Sequence, residues 1–152
     1  MNCRVKMFLD ASALVAILAD ERSGPKIQLA LENESGTISC SPLAIYEAVA
    51  GYARTKTASG QSHSDRIIIA RNAVIEFLTK SDIDIVKIAE EHVALAIAAF
   101  AKFGSGSGHA AKLNMGDCFA YAMAKSLKVP LLFIGNDFIH TDIESALSDP
   151  RP

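Results

Sequence analysis

Residues 129–137 have the sequence Val-Pro-Leu-Leu-Phe-Ile-Gly-Asn-Asp, and this stretch decides the fold class. Its centre, residues 131–134, is an uninterrupted apolar run, which is typical of a strand that is covered on both faces. Another candidate strand, residues 4–9, is followed at once by a helical pattern, and short apolar runs then alternate with longer helical segments. This alternation predicts an α/β fold with a mostly parallel central sheet of four to five strands.

The remaining elements are predicted from local patterns. Further strands are expected at residues 37–39 and 83–86. Apolar residues at helical spacing, or runs rich in alanine, predict helices at residues 12–20, 26–34, 42–54, 65–79, 89–103 and 114–127. Thr141 and Glu144 fit a capping box, which predicts a final short helix through Leu147. The Gly- and Ser-rich residues 104–108 are predicted to form a flexible loop.

The length and composition fit one globular domain over residues 1–152. The chain has 152 residues, half of them apolar, and a formal net charge of -2. A chain of this length buries about 70% of its unfolded surface, and its apolar content excludes intrinsic disorder. Because the net charge is slightly negative, the protein cannot hold a nucleic acid through bulk positive charge, and any such contact must be local.

The start of the chain resembles a secretion signal only in part. Arg4 and Lys6 precede an apolar segment, but Asp10 interrupts that segment where a signal peptide has an apolar core. The longest apolar stretches have about nine residues, against the roughly 20 that cross a bilayer. We therefore expect a cytoplasmic protein without a membrane partner. Three cysteines without a Cys-x-x-Cys pair predict neither a disulfide framework nor a zinc site.

Most of the 17 acidic residues lie among other polar residues, but four do not: Asp10, Glu47, Asp117 and Asp137. Asp10 directly follows the first predicted strand and Asp137 comes soon after the last, at the edge where open parallel sheets bind ligands. Structural roles are the alternatives, namely helix caps for Asp10 and Asp117, a turn for Asp137 and an exposed helix position for Glu47. Buried carboxylates are costly unless they are paired or bind a metal. The apolar segments that contain these four acids include no Lys or Arg beside them.

A hard divalent cation fits this set of side chains. Mg²⁺ and Mn²⁺ prefer oxygen ligands and share carboxylates with substrate phosphates. Two such ions about 4 Å apart activate water and stabilise the leaving oxygen of a phosphodiester. The residues therefore predict metal-assisted phosphoryl transfer, with Mg²⁺ or Mn²⁺ as the cofactor.

Two other classes match less well. An aspartyl-phosphate phosphatase would place a second Asp two residues after Asp10, where Ser12 stands. The Gly-x-Gly-x-Gly pattern of residues 104–108 follows a predicted helix rather than a strand, so it is not a dinucleotide-binding turn.

Three motifs, with Glu47 between the first two, resemble those of a known family. They are Phe8-Leu-Asp-Ala-Ser-Ala13, Leu113-Asn-Met-Gly-Asp-Cys-Phe-Ala-Tyr-Ala-Met-Ala124 and Leu131-Leu-Phe-Ile-Gly-Asn-Asp-Phe138. In their order and spacing, over nearly the whole chain, they resemble a PIN-domain ribonuclease of the VapC toxin type. The resemblance implies a single PIN domain over residues 1–152, with a three-layer α/β/α fold.

The resemblance also implies roles for individual residues. A catalytic, metal-binding pocket would be formed by four acids: Asp10, Glu47, Asp117 and Asp137. Of these, Asp10 and Asp117 would be direct metal ligands. Three further polar residues would support the pocket: Ser12, Asn136 and Asp142.

Members of this family cut single-stranded or loop RNA with Mg²⁺ or Mn²⁺, and many are homodimers inhibited by a VapB-type antitoxin. The resemblance thus implies an endoribonuclease that is the toxin of a toxin–antitoxin pair, with RNA, an antitoxin and a second copy of the chain as partners. A non-catalytic PIN module that binds RNA or an antitoxin with the same surface is the alternative function.

Local cations would have to guide the RNA backbone. Four cations on or beside the loops are candidates, with solubilising surface charge as the alternative role: Arg54, Lys56, Arg66 and Lys112. Aromatic residues can stack on single-stranded bases, but for Tyr46, Tyr52 and Phe138 we expect core packing.

Overall fold

The computed structural model describes residues 4–55 and 57–152. Its four strands are β1 (Val5–Leu9), β2 (Thr37–Cys40), β3 (Asp84–Ile85) and β4 (Leu131–Leu132). All are parallel, and they lie in the order β3-β2-β1-β4. Because Phe8 of β1 pairs with Ser39 of β2 on one side and with Leu131 of β4 on the other, β1 runs through the middle of the sheet.

Six α-helices and one short 3₁₀ turn complete the described elements. The helices are α1 (Ala11–Leu18), α2 (Gly24–Asn33), α3 (Pro42–Ala53), α4 (His63–Lys80), α5 (Glu90–Phe103) and α6 (Met115–Leu127). The 3₁₀ turn covers Phe138–His140. None of the helices in the described ranges is long and apolar enough to cross a membrane.

Two apolar cores cover the two faces of the sheet. In β1, the alternation of side chains sends Leu9 into a core with α1 to α4, and Phe8 into a second core with α5 and α6. Leu131 and Leu132 of β4 are divided between the same two cores, so the apolar run 131–134 contributes a strand that is covered on both faces, as predicted. The structure confirms the expected three-layer α/β/α fold with four parallel strands.

The predicted final helix through Leu147 is wrong. The Thr141 hydroxyl donates to the Phe138 carbonyl and accepts from the Ile143 amide, so its polar atoms are used in a turn rather than in a helix cap. The amide of Ala146 then donates to the carbonyl of Leu131 at 2.9 Å, along the outer edge of β4. Residues 144–146 thus cover a sheet edge that would otherwise present unpaired backbone groups.

The Gly- and Ser-rich segment 104–108 begins a loop whose ends are joined. The Ser105 amide donates to the Leu113 carbonyl, and the Leu113 amide donates to the Phe103 carbonyl, both at 2.9 Å. His109 packs edge-on against the ring of Phe103, with 4.9 Å between ring centroids. The loop therefore returns the chain from the end of α5 to the start of α6 at a fixed place.

Candidate active site

The carboxyl ends of β1 and β4 border one cavity. The chain runs from β1 to β2 and β3 in one direction and then returns to β4 on the other side of β1, and ligands of parallel sheets bind where the order reverses in this way. The cavity has a volume of about 340 Å³. It is lined by Asp10, Ala11, Ser12, Val15, Glu21, Glu47, Asp117 and Ile134.

Asp10 is held at the end of β1 by Ser12. Its Oδ2 atom accepts hydrogen bonds from the Ser12 amide at 3.0 Å and from the Ser12 hydroxyl at 2.5 Å, which caps α1. The same hydroxyl accepts from the Ile134 amide at 3.1 Å, just beyond β4. Asp10 as a residue is only 5% exposed, and burial raises its pKa although the bonds from Ser12 oppose the shift. Ser12 therefore orients Asp10 and ties β1 to β4.

Asp117 lies in the first turn of α6 and takes part in a capping box. Its amide donates to Asn114 Oδ1 at 2.9 Å, and its Oδ2 accepts from the Asn114 amide at 3.0 Å. Burial raises the pKa of Asp117 to about 7, against the bond from Asn114, and the charges of Asp10 and Asp137 add to the rise. The helix cap thus fixes a carboxylate that is costly to ionise.

Glu47 reaches the cavity from the middle of α3. It is half-buried, and burial raises its pKa to about 7, with the charges of Asp10 and Asp117 as smaller causes. Its carboxylate lies against Gly116 in the first turn of α6. Three predicted acids from three different elements therefore meet at one cavity.

The other predicted site residues lie further out. Asp137 is exposed and precedes the 3₁₀ turn, but its charge still raises the pKa of both Asp10 and Asp117. Asn136 beside it is also exposed. Asp142 accepts from the Tyr121 hydroxyl at 2.5 Å and pairs with Lys125 at 2.9 Å, and it lines a different cavity. Hydrogen bonds and an ion pair thus hold Asp142 against α6.

Two residues at the site were not predicted from the sequence. Glu21 also lines the cavity. It follows Asp20, which adopts a left-handed backbone with a φ of 53°, and its amide donates to the Ala16 carbonyl at 3.0 Å. Gly116 provides the space beside Glu47. An acid three residues after the end of an apolar helix was the only available signal for Glu21, and its charged neighbour Asp20 made both resemble a solvated face.

Among the described residues that line the cavity, none is Lys or Arg. Arg66 donates from Nε to the Ala53 carbonyl and from Nη2 to the Thr55 carbonyl, both at 2.8 Å. Its guanidinium group therefore binds carbonyl groups at the C-terminal end of α3. Arg54 and Lys112 are exposed. Lys56 lies outside the described residues.

The three aromatic side chains differ in exposure. Tyr52 and Phe138 are buried, as expected. Tyr46 is 71% exposed next to Glu47, so the core position predicted for it is wrong. Tyr46 points away from the core because the helix alternates its faces, and positions 44, 48 and 52 already face inward.

Carboxylate oxygens are suitable ligands for a divalent cation, although the side chains are not yet positioned to coordinate one. Within residues 4–55 and 57–152, no three His, Cys, Asp or Glu side chains are already arranged so that they could hold a metal ion. All of the ionisable groups that line the cavity are carboxylates. Oxygen donors without a neighbouring cation are the set that Mg²⁺ or Mn²⁺ prefers.

Comparison with known proteins agrees with this geometry. Residues 7–144 match the PIN domain family. The chain belongs to the PIN-domain family. A VapC ribonuclease of Rhizobium meliloti (strain 1021) is 37% identical over 139 residues, which cover 90% of this chain and 98% of the relative. A VapC-type ribonuclease of Mycobacterium tuberculosis is 36% identical over 146 residues, covering 93% and 98%.

A solved toxin–antitoxin complex from Klebsiella pneumoniae contains a chain with the same fold. The TM-score is 0.61 at 16% sequence identity, and the match covers 88% of this chain and 90% of that chain. The resemblance to a PIN domain of the VapC type, predicted from the motifs, is thus confirmed by the family match and by the relatives.

Proposed function

We propose that this PIN domain is an Mg²⁺- or Mn²⁺-dependent endoribonuclease and the toxin of a toxin–antitoxin pair. The observation that carries the proposal is the meeting of Asp10, Glu47 and Asp117 at one cavity, with pKa values raised by burial and mutual repulsion. Such an arrangement is unfavourable by itself and becomes favourable with a bound cation. The VapC ribonucleases that match over nine-tenths of the chain support the same activity.

Each acid has its own part in this proposal. Asp10 and Asp117, both fixed by hydrogen bonds, would be direct metal ligands, and Glu47, whose carboxylate lies against the first turn of α6, would bind the same ions from that side of the cavity. Asp137 would add negative charge at the mouth, supported by Asn136. When bound, the metal supplies positive charge for the phosphate and lowers the pKa of water. Ser12 keeps the Asp10 carboxylate oriented toward the cavity through its hydroxyl.

RNA would lie across the mouth of the cavity. Tyr46 precedes Glu47 in α3, and its exposed ring can stack on an unpaired base. Arg54 and Lys112 are exposed and can contact phosphates, whereas Arg66 is already occupied by two carbonyl groups. Asp142 would support the site only indirectly, because its carboxylate is paired with Lys125 on α6.

A VapB-type antitoxin is the proposed protein partner. The cavity lining combines carboxylates, Glu21 and Asp117 among them, with the apolar side chains of Val15 and Ile134. An inhibitory segment with a cationic side chain would neutralise these carboxylates without metal. Addition of the antitoxin is expected to stop RNA cleavage.

A second copy of the chain is proposed to cover an apolar groove between α5 and α6. The nine residues from Val93 to Ala101 carry no charge, and Ile97 is 63% exposed and Phe100 53% exposed on the groove. A helix that is apolar on all sides is normally buried on all sides. Two-fold pairing of identical uncharged stripes would bury both without leaving a charge unpaired.

The ribonuclease proposal is tested by incubating purified protein with a pool of structured and single-stranded RNA. Cleavage is expected with Mg²⁺ or Mn²⁺, and it should be lost with EDTA and in Asp117→Asn. Asp65→Asn is the matched control, because Asp65 fills the same capping position in α4 and is not among the residues that line the cavity. This control should cleave normally.

The alternative function is a non-catalytic module that binds RNA or an antitoxin. A folded, antitoxin-free protein that binds RNA but never cleaves it, with either metal and with RNA from the native host, would favour this alternative.

A further inference from the structure

The second residue of α6 is Gly116, although the backbone conformation at this position does not require glycine. Glycine weakens a helix relative to alanine, because it has more backbone freedom to lose on folding. Four described glycines have a positive φ that a side chain would strain, namely Gly60, Gly106, Gly108 and Gly135. Gly116 is not among them. It also lies inside a helix rather than in a turn, so its backbone could be that of any residue.

The space beside Gly116 is filled by one side chain. The three heavy atoms nearest to a Cβ built at this position are Oε2, Cδ and Oε1 of Glu47, and all three would overlap with it. Gly116 is buried, and the next residue is Asp117. The missing side chain therefore lets an acid from α3 lie directly on the first turn of α6.

We propose that Gly116 is a positioning residue, whose lack of a side chain keeps the Glu47 carboxylate in the cavity beside Asp117. The catalytic part of this inference rests on the proposed ribonuclease function. Glutamate has a flexible side chain, and Glu47 is half-buried at a cavity that opens to solvent. A methyl group at position 116 would therefore turn the carboxylate away rather than unfold the helix.

The first experiment compares Gly116→Ala with the unmodified protein. We expect a crystal structure of the variant to show an intact α6 and a Glu47 carboxylate that has left the contact with residue 116. The Tm should be equal or higher, because alanine favours the helix. The kcat for RNA cleavage and the Mn²⁺ affinity should fall by about 10- to 100-fold, as for loss of a residue that orients metal ligands, with a smaller change in KM.

Second variants at position 47 separate positioning from a general structural role. In the Glu47→Ala background, Gly116→Ala should change the cleavage rate by less than about twofold, because the carboxylate that it displaces is gone. In the Gly116→Ala background, Glu47→Asp should restore part of the activity, because the shorter side chain leaves room for the methyl group.

Gly51→Ala is the matched control, since Gly51 is also helical but its added Cβ would meet a Val15 methyl group at 3.0 Å and no carboxylate. It should keep cleavage within about twofold of the unmodified rate.

The inference is overturned if the Glu47 carboxylate stays in place in the Gly116→Ala structure, or if Gly116→Ala and Glu47→Ala reduce the rate independently. If the unmodified protein cleaves no RNA, the ribonuclease proposal fails, but the crystal structure and the Mn²⁺ titration still decide the role of Gly116.

Discussion

At the scale of single residues, the acids of the cavity are expensive to ionise. Burial is the main reason, and the charges of neighbouring acids add to it, so that the pKa values of Glu47 and Asp117 rise to about 7 from ordinary values of 4.5 and 3.8. Between those ordinary values and pH 7, the folded protein holds more protons than the unfolded chain. The stability of the metal-free protein must therefore fall as the pH rises through this window.

We predict that the free energy of unfolding in EDTA decreases by about 1–2 kcal/mol between pH 5.5 and pH 8, after allowance for partial solvent screening. Urea unfolding at several pH values measures this slope. Glu47→Gln should flatten it, and Mn²⁺ should remove most of it by binding the ionised form. Glu76→Gln, an exposed change on α4, serves as the control. Equal stability at both pH values would contradict the conclusion that these carboxylates are costly to ionise in the folded protein.

Three of the four acids could be predicted from the sequence because each stands alone among apolar residues. Asp10, Glu47 and Asp117 do meet at the cavity. Glu21 and Gly116 could not be found in the same way. Glu21 depends on a left-handed backbone at the preceding residue, and Gly116 depends on the distance between two helices that are far apart in sequence.

At the scale of elements, the end of α6 carries a backbone conformation that its residue does not favour. Lys128 caps the helix with a φ of 56° and a ψ of 48°, which is the left-handed region. Glycine is the usual residue at such a helix end. The Lys128 amide donates to the Lys125 carbonyl, so the conformation is fixed by a helix-ending bond.

Lys128→Gly is therefore expected to raise the free energy of unfolding by about 0.5–1 kcal/mol. Lys125→Gly is the comparison within the helix, and it should destabilise the protein, because it places glycine in a regular turn and removes the ion pair with Asp142. Thermal and urea unfolding of both variants provide the measurement. A loss of stability in Lys128→Gly would show that the lysine side chain contributes more than its backbone costs.

The helices that bury one face were predictable, and the last segment was not. Helices such as α4 repeat apolar residues on one side, a pattern that is local in sequence. The segment after residue 140 also matched a local capping pattern. Its backbone instead pairs with Leu131 at the open edge of β4, and this competition is visible only once the strand order is known.

At the scale of the whole molecule, the proposed dimer depends on the uncharged residues 93–101 of α5. We predict that the purified protein sediments as a dimer and that Ile97→Glu shifts it to the mass of one chain, because a buried unpaired carboxylate is costly at an interface. Ile68→Glu is the control, since Ile68 is similarly exposed but lies on α4. Sedimentation at several concentrations distinguishes the two. A monomer at every concentration in the unmodified protein would remove the proposal.

The global arrangement was predictable because it depends on the order of elements rather than on their exact ends. Alternating strands and helices leave few choices for a parallel sheet, and its functional edge follows from the strand direction. The register between strands and the distance between α3 and α6 require three-dimensional packing.

The hydrogen bonds of Asp10 and Asp117 also affect which inactive variant of the protein is practical to produce in a host cell. Asp10 caps α1 and Asp117 completes the capping box of α6, so replacement of either removes folding support together with any toxicity, and the yield has to be compared with that of a capping control such as Asp65→Asn. Glu47 caps no helix and lies in the middle of α3. Glu47→Gln is consequently the better choice for preparing large amounts of inactive, correctly folded material.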